Sequence, residues 1–594
     1  MKLLVIIGIL TIFSLVIFPG YKVFVSDHKL YIPAIYQALN PTLFQNDLLL
    51  SFNQTEYTLF DELIIFLMDI LNTNIFYVLF FLSVIIRFIY FYSIYKISFY
   101  FTDDKKFSTF SILLLISGFW VYGTASSTLD INLVPRLISL AFNLLFLACF
   151  FNKKYFLSTL PLGIGLLIHP ITSLPFIIFF YLNLFFFYSN KGFLNSRSLF
   201  LGTIPFLFLI FLLLNIKTEG LGFFTFIDPI WENIIRLRDP YIFITSWSYI
   251  DFFHLIASIC FFLISYLELR GILKDTTKRK LEYYYLLFLI PLFLFVFSFI
   301  TVDILKLHFF VQLQASRSLF LWKIFITLLF SYFAYNYIKN HPKDSLFNFS
   351  LIGILLSFIF KEFFIFLFIP MFLFLWVKRK YNLFRLAKIK TFNRDQVSIV
   401  IFGICTVGLV TIFLIKDRVD LLFYLFAILA LSLLASLTVR WKRDLVFGYK
   451  AIHAFLILFI IITIIFVPRF SIHPSYFGDK ELMEVCNWIK NNTNEQDVFI
   501  TEPFSKVSGP LRLTCYRNVF TSFKDGAQVV FKRDYAIEWK KRMDYVHELK
   551  ENHSLLSEIL KEYDIDYVIS ENKLNISYPI VFTNTKYFIY DIGG

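Results

Sequence analysis

The chain has 594 residues, 58% hydrophobic and only 16% charged, where a soluble chain carries about 25% charged residues. Its mean hydropathy is +0.71, and that balance excludes a soluble globular protein. The net charge of +13 is spread through short loops between apolar runs. It therefore argues against a nucleic-acid surface and reads as a membrane-topology signal.

The first twenty residues, MKLLVIIGILTIFSLVIFPG, pair a positive start with an apolar run at 3–19 and lack a small-residue cleavage site, so they are expected to form an uncleaved first span. Apolar runs follow at 75–97, 107–121, 134–151, 155–168, 173–189, 198–215, 252–269, 283–301, 319–337, 346–360, 363–377, 397–415, 420–438 and 451–467. At roughly 20 residues per span this gives about 13–15 spans. When the loops are assigned alternately to two sides, Lys and Arg collect on one side, at Lys105/Lys106, Lys153/Lys154, Lys191/Arg197, 270–280, Lys339/Lys343, 378–394 and 440–450. The positive-inside rule makes that side cytoplasmic. The N-terminus is then inside, while 20–74, 122–133, 217–250, 302–317 and everything after about 468 lie outside.

Two runs, 155–168 and 173–189, are short and meet at His169-Pro170. Backbone bonds lost inside lipid are tolerated only where protein or a water-filled cavity covers them. This hairpin is expected to line a cavity, whether it crosses the membrane or re-enters. After Pro468 the pattern becomes that of a soluble α/β domain: an amphipathic helix at 479–491, strands at 498–501 and 518–522, helical sequence over 529–562, and strands at 566–570, 580–583 and 587–591. The fold class is thus an α-helical polytopic membrane domain over 1–467, with a long first outer loop at 20–74, and an extracytoplasmic α/β domain over 468–594. In the latter, Lys524-Asp525 and Trp539-Lys540-Lys541-Arg542 read as ordinary surface features. Cys486 and Cys515 fall in polar sequence, where a disulfide and two free thiols are both open. No phosphate-binding Gly loop, dinucleotide fingerprint, HExxH or CxxC is present, and no metal ligands are assigned.

Chemistry is expected at ionisable groups near the outer ends of spans, since charge near lipid is costly and usually faces a cavity or a partner. Asp27-His28 follows span one, where Asp27 is either a general base for a hydroxyl or a hydrated loop acid. Asn46-Asp47 lies in the same loop. Asp130 precedes Arg136, whose guanidinium suits a phosphate, and an internal Asp–Arg pair is the alternative. His169 offers a titratable donor or a structural hydrogen bond. Arg238-Asp239-Pro240-Tyr241 sits in the 231–247 loop, whose Trp and Arg content suits an interfacial helix at the level of lipid phosphates, or a plain anchor. Gln314 and Arg317 lie one helical turn apart, and snorkelling is the competing role for Arg317. Arg87, within span two, reads as snorkelling or internally paired.

In this order, Asp27-His28 through Asn46-Asp47, Arg136, His169-Pro170, Arg238-Asp239-Pro240-Tyr241, Gln314/Arg317 and 481–489 leading to 498–501 resemble a group of bacterial multi-spanning proteins related to the GT-C superfamily of integral-membrane glycosyltransferases. The likeness covers nearly the whole chain in layout. It implies a bacterial plasma-membrane protein with an outward-opening cavity, a sugar donor carried on polyprenyl phosphate, and a glycan or lipid acceptor among the membrane lipids. An acid in the first outer loop is the usual base of that superfamily, which maps onto Asp27, with Asp47 and Asp130 as further candidates. His28, Arg136, His169, Arg238, Tyr241, Gln314 and Arg317 are expected to bind substrate, an arginine stabilising the departing phosphate. No cofactor is expected, with an Asp-held divalent ion left open. The rival readings are a transporter or flippase of lipid-linked glycans, and a non-catalytic membrane protein whose α/β domain binds a partner.

Overall fold

The structure, a computed structural model, describes residues 2–360 apart from 18, 53, 190–195, 216–224, 273–274 and 343, together with 372–373, 375–376, 470–471 and 479–593 apart from 503 and 550–555. The predicted spans at 363–377, 397–415, 420–438 and 451–467 fall wholly or mostly outside the described residues. Among the described residues, four helices are long and apolar enough to cross a membrane: Ile75–Thr102, Tyr249–Gly271, Lys280–Ile304 and His308–Asn340. Shorter apolar helices occupy Lys2–Val16, Pro135–Phe151, Tyr155–Ile168, Pro170–Phe185 and Gly202–Phe211. At 1.5 Å per residue, the 14-residue helix Tyr155–Ile168 reaches only about 21 Å, against about 30 Å of hydrocarbon.

Two predicted elements take another form. The run at 107–121 is not one helix: Lys105–Leu115 ends before Gly118, which takes φ +66°, and the chain turns into the antiparallel hairpin of β1 (Trp120–Val121) and β2 (Ser126–Ser127). A Cβ at Gly118 would lie 2.5 Å from the Leu129 carbonyl oxygen, so glycine permits both the turn and the close approach. The predicted loop at 302–317 is nearly all helical, through a π-helical turn Phe299–Ile304, a helix His308–Leu313 and a 3-10 turn Ala315–Ser318.

Polar groups hold the apolar bundle in register. Arg87 is fully buried and donates from Nη1 and Nη2 to the carbonyls of Ser14, Gly20 and Asp130 at 2.7–2.9 Å, so it is internally paired and does not snorkel, although its Nε has no partner among the described residues. Ser139 donates to the Gly165 carbonyl, and Asn143 donates to Ser139 O and Ser173 Oγ, which ties together the helices on either side of His169. Segments that follow different helices interlock at one end: Lys22 N–H donates to Ile131, Asn132 to Val25, and Ile227 N–H to Lys306. At the opposite end of Ile75–Thr102, Lys280 pairs with Asp103 and Tyr335 bonds Asp104.

The C-terminal region forms a mixed five-stranded sheet from β3 (Val498–Thr501), β4 (Asn518–Val519), β5 (Tyr567–Ser570), β6 (Ile580–Thr583) and β7 (Phe588–Asp591), in the order β4-β3-β5-β7-β6. Pairing is parallel about β3 and antiparallel about β7. Alternation along the strands sends Phe499, Ile569 and Ile589 to the face covered by helix Lys480–Asn492. Val498, Ile500, Val568 and Tyr590 go to the face covered by Arg533–Leu549 and Leu556–Glu562. The Cys486 and Cys515 sulfurs lie 2.6 Å apart as buried thiols.

This region is not freely suspended in water. Trp231 on helix Pro229–Arg238 donates its indole N–H to Val529 O at 2.7 Å, and it packs in one core with Ile235, Val530 and Trp539. The 231–247 segment therefore packs against the α/β region through Trp231, Ile234, Ile235, Ile242 and Phe243. Trp539 is only 1% exposed, a buried anchor and not the surface residue its basic neighbours suggest.

Candidate functional site

A small cavity, of about 20 Å³, opens where the 126–130 turn, the first turn of helix Pro135–Phe151, the His169 break and the Ala315–Ser318 turn meet. Asp130, Arg136, His169, Thr172 and Arg317 give it its polar lining. Helix Pro135–Phe151 begins with proline at its first turn, which needs no N–H there, and Arg136 follows at the mouth. Its Nε and Nη2 donate to the two oxygens of Asp130 at 2.8 and 2.9 Å, and its Nη1 donates to Asp27 Oδ2 at 2.8 Å. Ser127 Oγ adds a bond to Asp130 Oδ1. Arg136 is thus a fork held by two carboxylates.

Asp27 precedes helix His28–Leu39 without capping it, which leaves its carboxylate for other partners. Besides Arg136 it accepts from Lys524 Nζ at 2.6 Å, across 497 positions of sequence. Burial, the largest influence on Asp27, pushes its pKa up. The charges of Arg136 and Lys524, with the Lys524 hydrogen bond, outweigh burial and hold the carboxyl well below the usual carboxylate range. Arg317 adds to that field, donates to Gln314 Oε1 at 2.9 Å, and stands over the Tyr241 ring. Gln314 can offer that oxygen because it caps the preceding helix in a left-handed conformation, φ +46°. His169 Nδ1 accepts from Thr172 N–H, which places the neutral ring's proton on Nε2.

The structure brings together Asp27, Asp130, Arg136, His169 and Arg317, with Gln314 and Tyr241 supporting Arg317. Three expected residues serve other ends. His28 is 1% exposed, its Nδ1 accepting from Phe24 N–H and its Nε2 meeting Leu133 O at 2.7 Å; it staples the first loop to the segment leading into Arg136 and offers nothing to a ligand. Burial pushes its pKa down to about 4. Asp47 caps Leu49 and accepts from Arg512 Nε and Nη2 and from Val519 N–H, with no exposure of its side chain, so it is a structural tie and not a second base. Arg238 spends its guanidinium on Phe523 O and Asp239 while lying over the Phe523 ring, which makes it a clamp between the two parts.

Lys524-Asp525, expected from sequence to be an ordinary surface feature, holds a buried acid beside a half-buried lysine, and Arg512 was not singled out from sequence at all. Asp525 is fully buried, and it accepts from Arg512 and from Ser522 N–H and Oγ. A signal was present: Ser522 and Asp525 have the three-residue spacing of a capping box, which the structure forms, and it presents Lys524 from a rigid turn. Arg512, set between Leu511 and Leu513, also demanded a carboxylate partner.

Residues 480–546 match a family described as a domain of unknown function, DUF6798. The matched stretch runs from helix Lys480–Asn492 into helix Arg533–Leu549 and includes Arg512, Lys524 and Asp525. No curated protein matches the chain.

Proposed function

We propose that the protein is a multi-pass, GT-C-like membrane glycosyltransferase that moves a sugar from a polyprenyl-phosphate donor to a glycan or lipid acceptor on the extracytoplasmic side of a bacterial plasma membrane. The observation that carries this reading is the pairing of the Asp27 carboxylate with Arg136, which lines a cavity together with Arg317. The cavity lining carries two cations, Arg136 and Arg317, and one acid, Asp130, with the Asp27–Lys524 pair joined to it through Arg136, an excess of positive charge that suits a phosphate.

In this reading Asp27 takes the proton of an acceptor hydroxyl as its oxygen bonds to the anomeric carbon. The bond from that carbon to the phosphate oxygen breaks, its electron pair leaving on the phosphate, where Arg136 and Arg317 meet the developing charge. A carboxylate doubly paired with cations is a poor base, because a base works best with a pKa near the operating pH. An anionic donor that draws Arg136 and Lys524 to its phosphate loosens both pairs and raises the basicity of Asp27 only once substrate is bound.

The test supplies the detergent-solubilised full chain with a panel of polyprenyl-phosphate hexoses and pentoses and scores transfer to added lipid extract. Asp27→Asn should lower transfer by about 10²–10⁴-fold without lowering yield or thermal midpoint enough to account for it. Wild-type transfer retained in full by that variant would remove the proposed base. Lipid-linked glycan crossing vesicles without sugar transfer would favour a flippase.

A further inference from the structure

Helix Lys480–Asn492 and the π-helical turn Leu511–Cys515 pack on one face of the five-stranded sheet and share a core with Phe499, Val519 and Ile589. Each sends one cysteine toward the other. Cys486 and Cys515 are 1% and 0% exposed, and their sulfurs are in contact inside that apolar core. We propose that these two residues are joined in the folded protein by a disulfide, which braces the turn that carries Arg512.

Three observations carry this. The sulfurs meet each other, and among the described residues no group of three His, Cys, Asp or Glu side chains forms, so the pair is not part of a metal-thiolate site. The backbones that carry them are locked together: Tyr516 turns the chain at φ +57°, and Arg517 reaches back to the end of the helix, donating from Nε to Thr493 Oγ1 at 2.9 Å and from Nη2 to Thr493 O at 2.8 Å, while its Nη1 holds Cys515 O at 3.0 Å. A disulfide needs such preset placement, since cysteines that point apart cannot be bridged without moving backbone. The turn also bears a duty, because Arg512 within it bonds Asp47 of the helical part and Asp525 at 2.6–2.9 Å.

Closing the bond is a two-electron oxidation, and a protein disulfide is the oxidant. The thiolate of one cysteine attacks a sulfur of that disulfide and releases its partner thiolate; the second cysteine then displaces the oxidant, which takes up both electrons and both protons and leaves as a dithiol. Burial pushes the Cys515 thiol up and shuts both sulfurs from solvent, so the exchange belongs to the folding chain, before this core closes. The same burial shields the finished bond from reductants, which makes it a lasting brace and not a switch. Such a bond forms in an oxidising compartment, so the inference rests on the extracytoplasmic side given to this region in the reading above.

Cells producing the full chain are quenched in acid, free thiols are blocked with N-ethylmaleimide, and the protein is digested without reductant. The peptide pair linked through Cys486 and Cys515 should dominate, with Cys149 and Cys260 blocked as internal controls. Proteolysis of intact spheroplasts reads the side of the membrane separately. Cys486 and Cys515 both blocked in a region open to protease overturns the disulfide alone, and both blocked in a shielded region overturns the disulfide and the outer placement together. A linked pair in a shielded region upholds the disulfide and overturns only the placement. In thermal unfolding of the purified chain, reductant should lower the wild-type midpoint by several degrees and leave Cys486→Ala/Cys515→Ala unmoved. Equal responses overturn the bracing role.

Discussion

At the scale of single residues, the informative contrast is between Asp27 and His28, neighbours in sequence with opposite duties. Asp27 faces cations and stays ionised; because its pKa is depressed, the stability from its pairs is present above the unfolded value near 4 and is lost only as pH falls below it. His28 is buried among backbone groups and stays neutral. Its folded pKa of about 4 lies below the unfolded value of 6.5, so its contribution is present above pH 6.5 and is lost as pH falls through 6.5 toward 4. The gap corresponds to about 3 kcal/mol. Wild-type protein should lose thermal stability over that window more steeply than His28→Gln. Parallel curves from pH 7 to pH 4 would mean that the ring does not hold the loop as a neutral staple.

At the scale of elements, the 3-10 turn Phe523–Gln528 carries the contact between the two parts. Gly526 lets it lie flat: a Cβ there would sit 2.6 Å from the Trp539 ring and 2.8 Å from Arg238 Cδ. The Trp539 ring is buried and its N–H is bonded to Ser522 O, so it cannot move aside cheaply. Gly526→Val should cost about 1–3 kcal/mol through overpacking and expose the turn to limited proteolysis, whereas an unchanged digestion pattern would show that the turn has room. The hairpin of β1 and β2 is the other decisive element. Together with the turn at 116–119 it replaces the end of a predicted span, and it puts its second strand against the cavity that Arg136 lines. Composition could not reveal it, since Phe119, Trp120 and Val121 are as apolar as a span requires; the break follows from Gly118 at positive φ.

For the molecule as a whole, the link between the helical part and the α/β region includes two ion clusters of different character beside the shared apolar core around Trp231 and Trp539. Asp47–Arg512–Asp525 is shut off from water, with side chains 0–3% exposed. Asp27–Lys524 is partly open, at 18% and 29%. Removing Arg512 strands two buried carboxylates, and removing Asp47 leaves the Arg512 Nε and the Val519 N–H buried without their acceptor; losing a buried partner of this kind costs about 3–5 kcal/mol. Asp47→Ala and Arg512→Ala should each show such a loss in thermal unfolding of the full chain. The double variant should lose less than their sum, because its members act through one network. Salt should leave that coupling nearly unchanged while it weakens the contribution of Lys524, since screening reaches exposed charges more than buried ones. Additive losses from the two single variants would show that Asp47 and Arg512 are not coupled.

What the amino-acid order determined by itself was local and periodic: the apolar runs that became long helices, the break at His169-Pro170, and the alternation that made β3, β5 and β7 strands. Pattern reaches these because each depends on residues within a turn or a strand of one another. Only the tertiary structure decided which charges meet. Arg136 has an acid within six residues and another 109 residues away, Asp27 finds Lys524 from 497 residues away, and Asp47 is withdrawn from chemistry by Arg512 from 465 residues away. Such pairings are set by how helices and sheet pack against each other, and a carboxylate reads the same in sequence whether a buried guanidinium or open water awaits it.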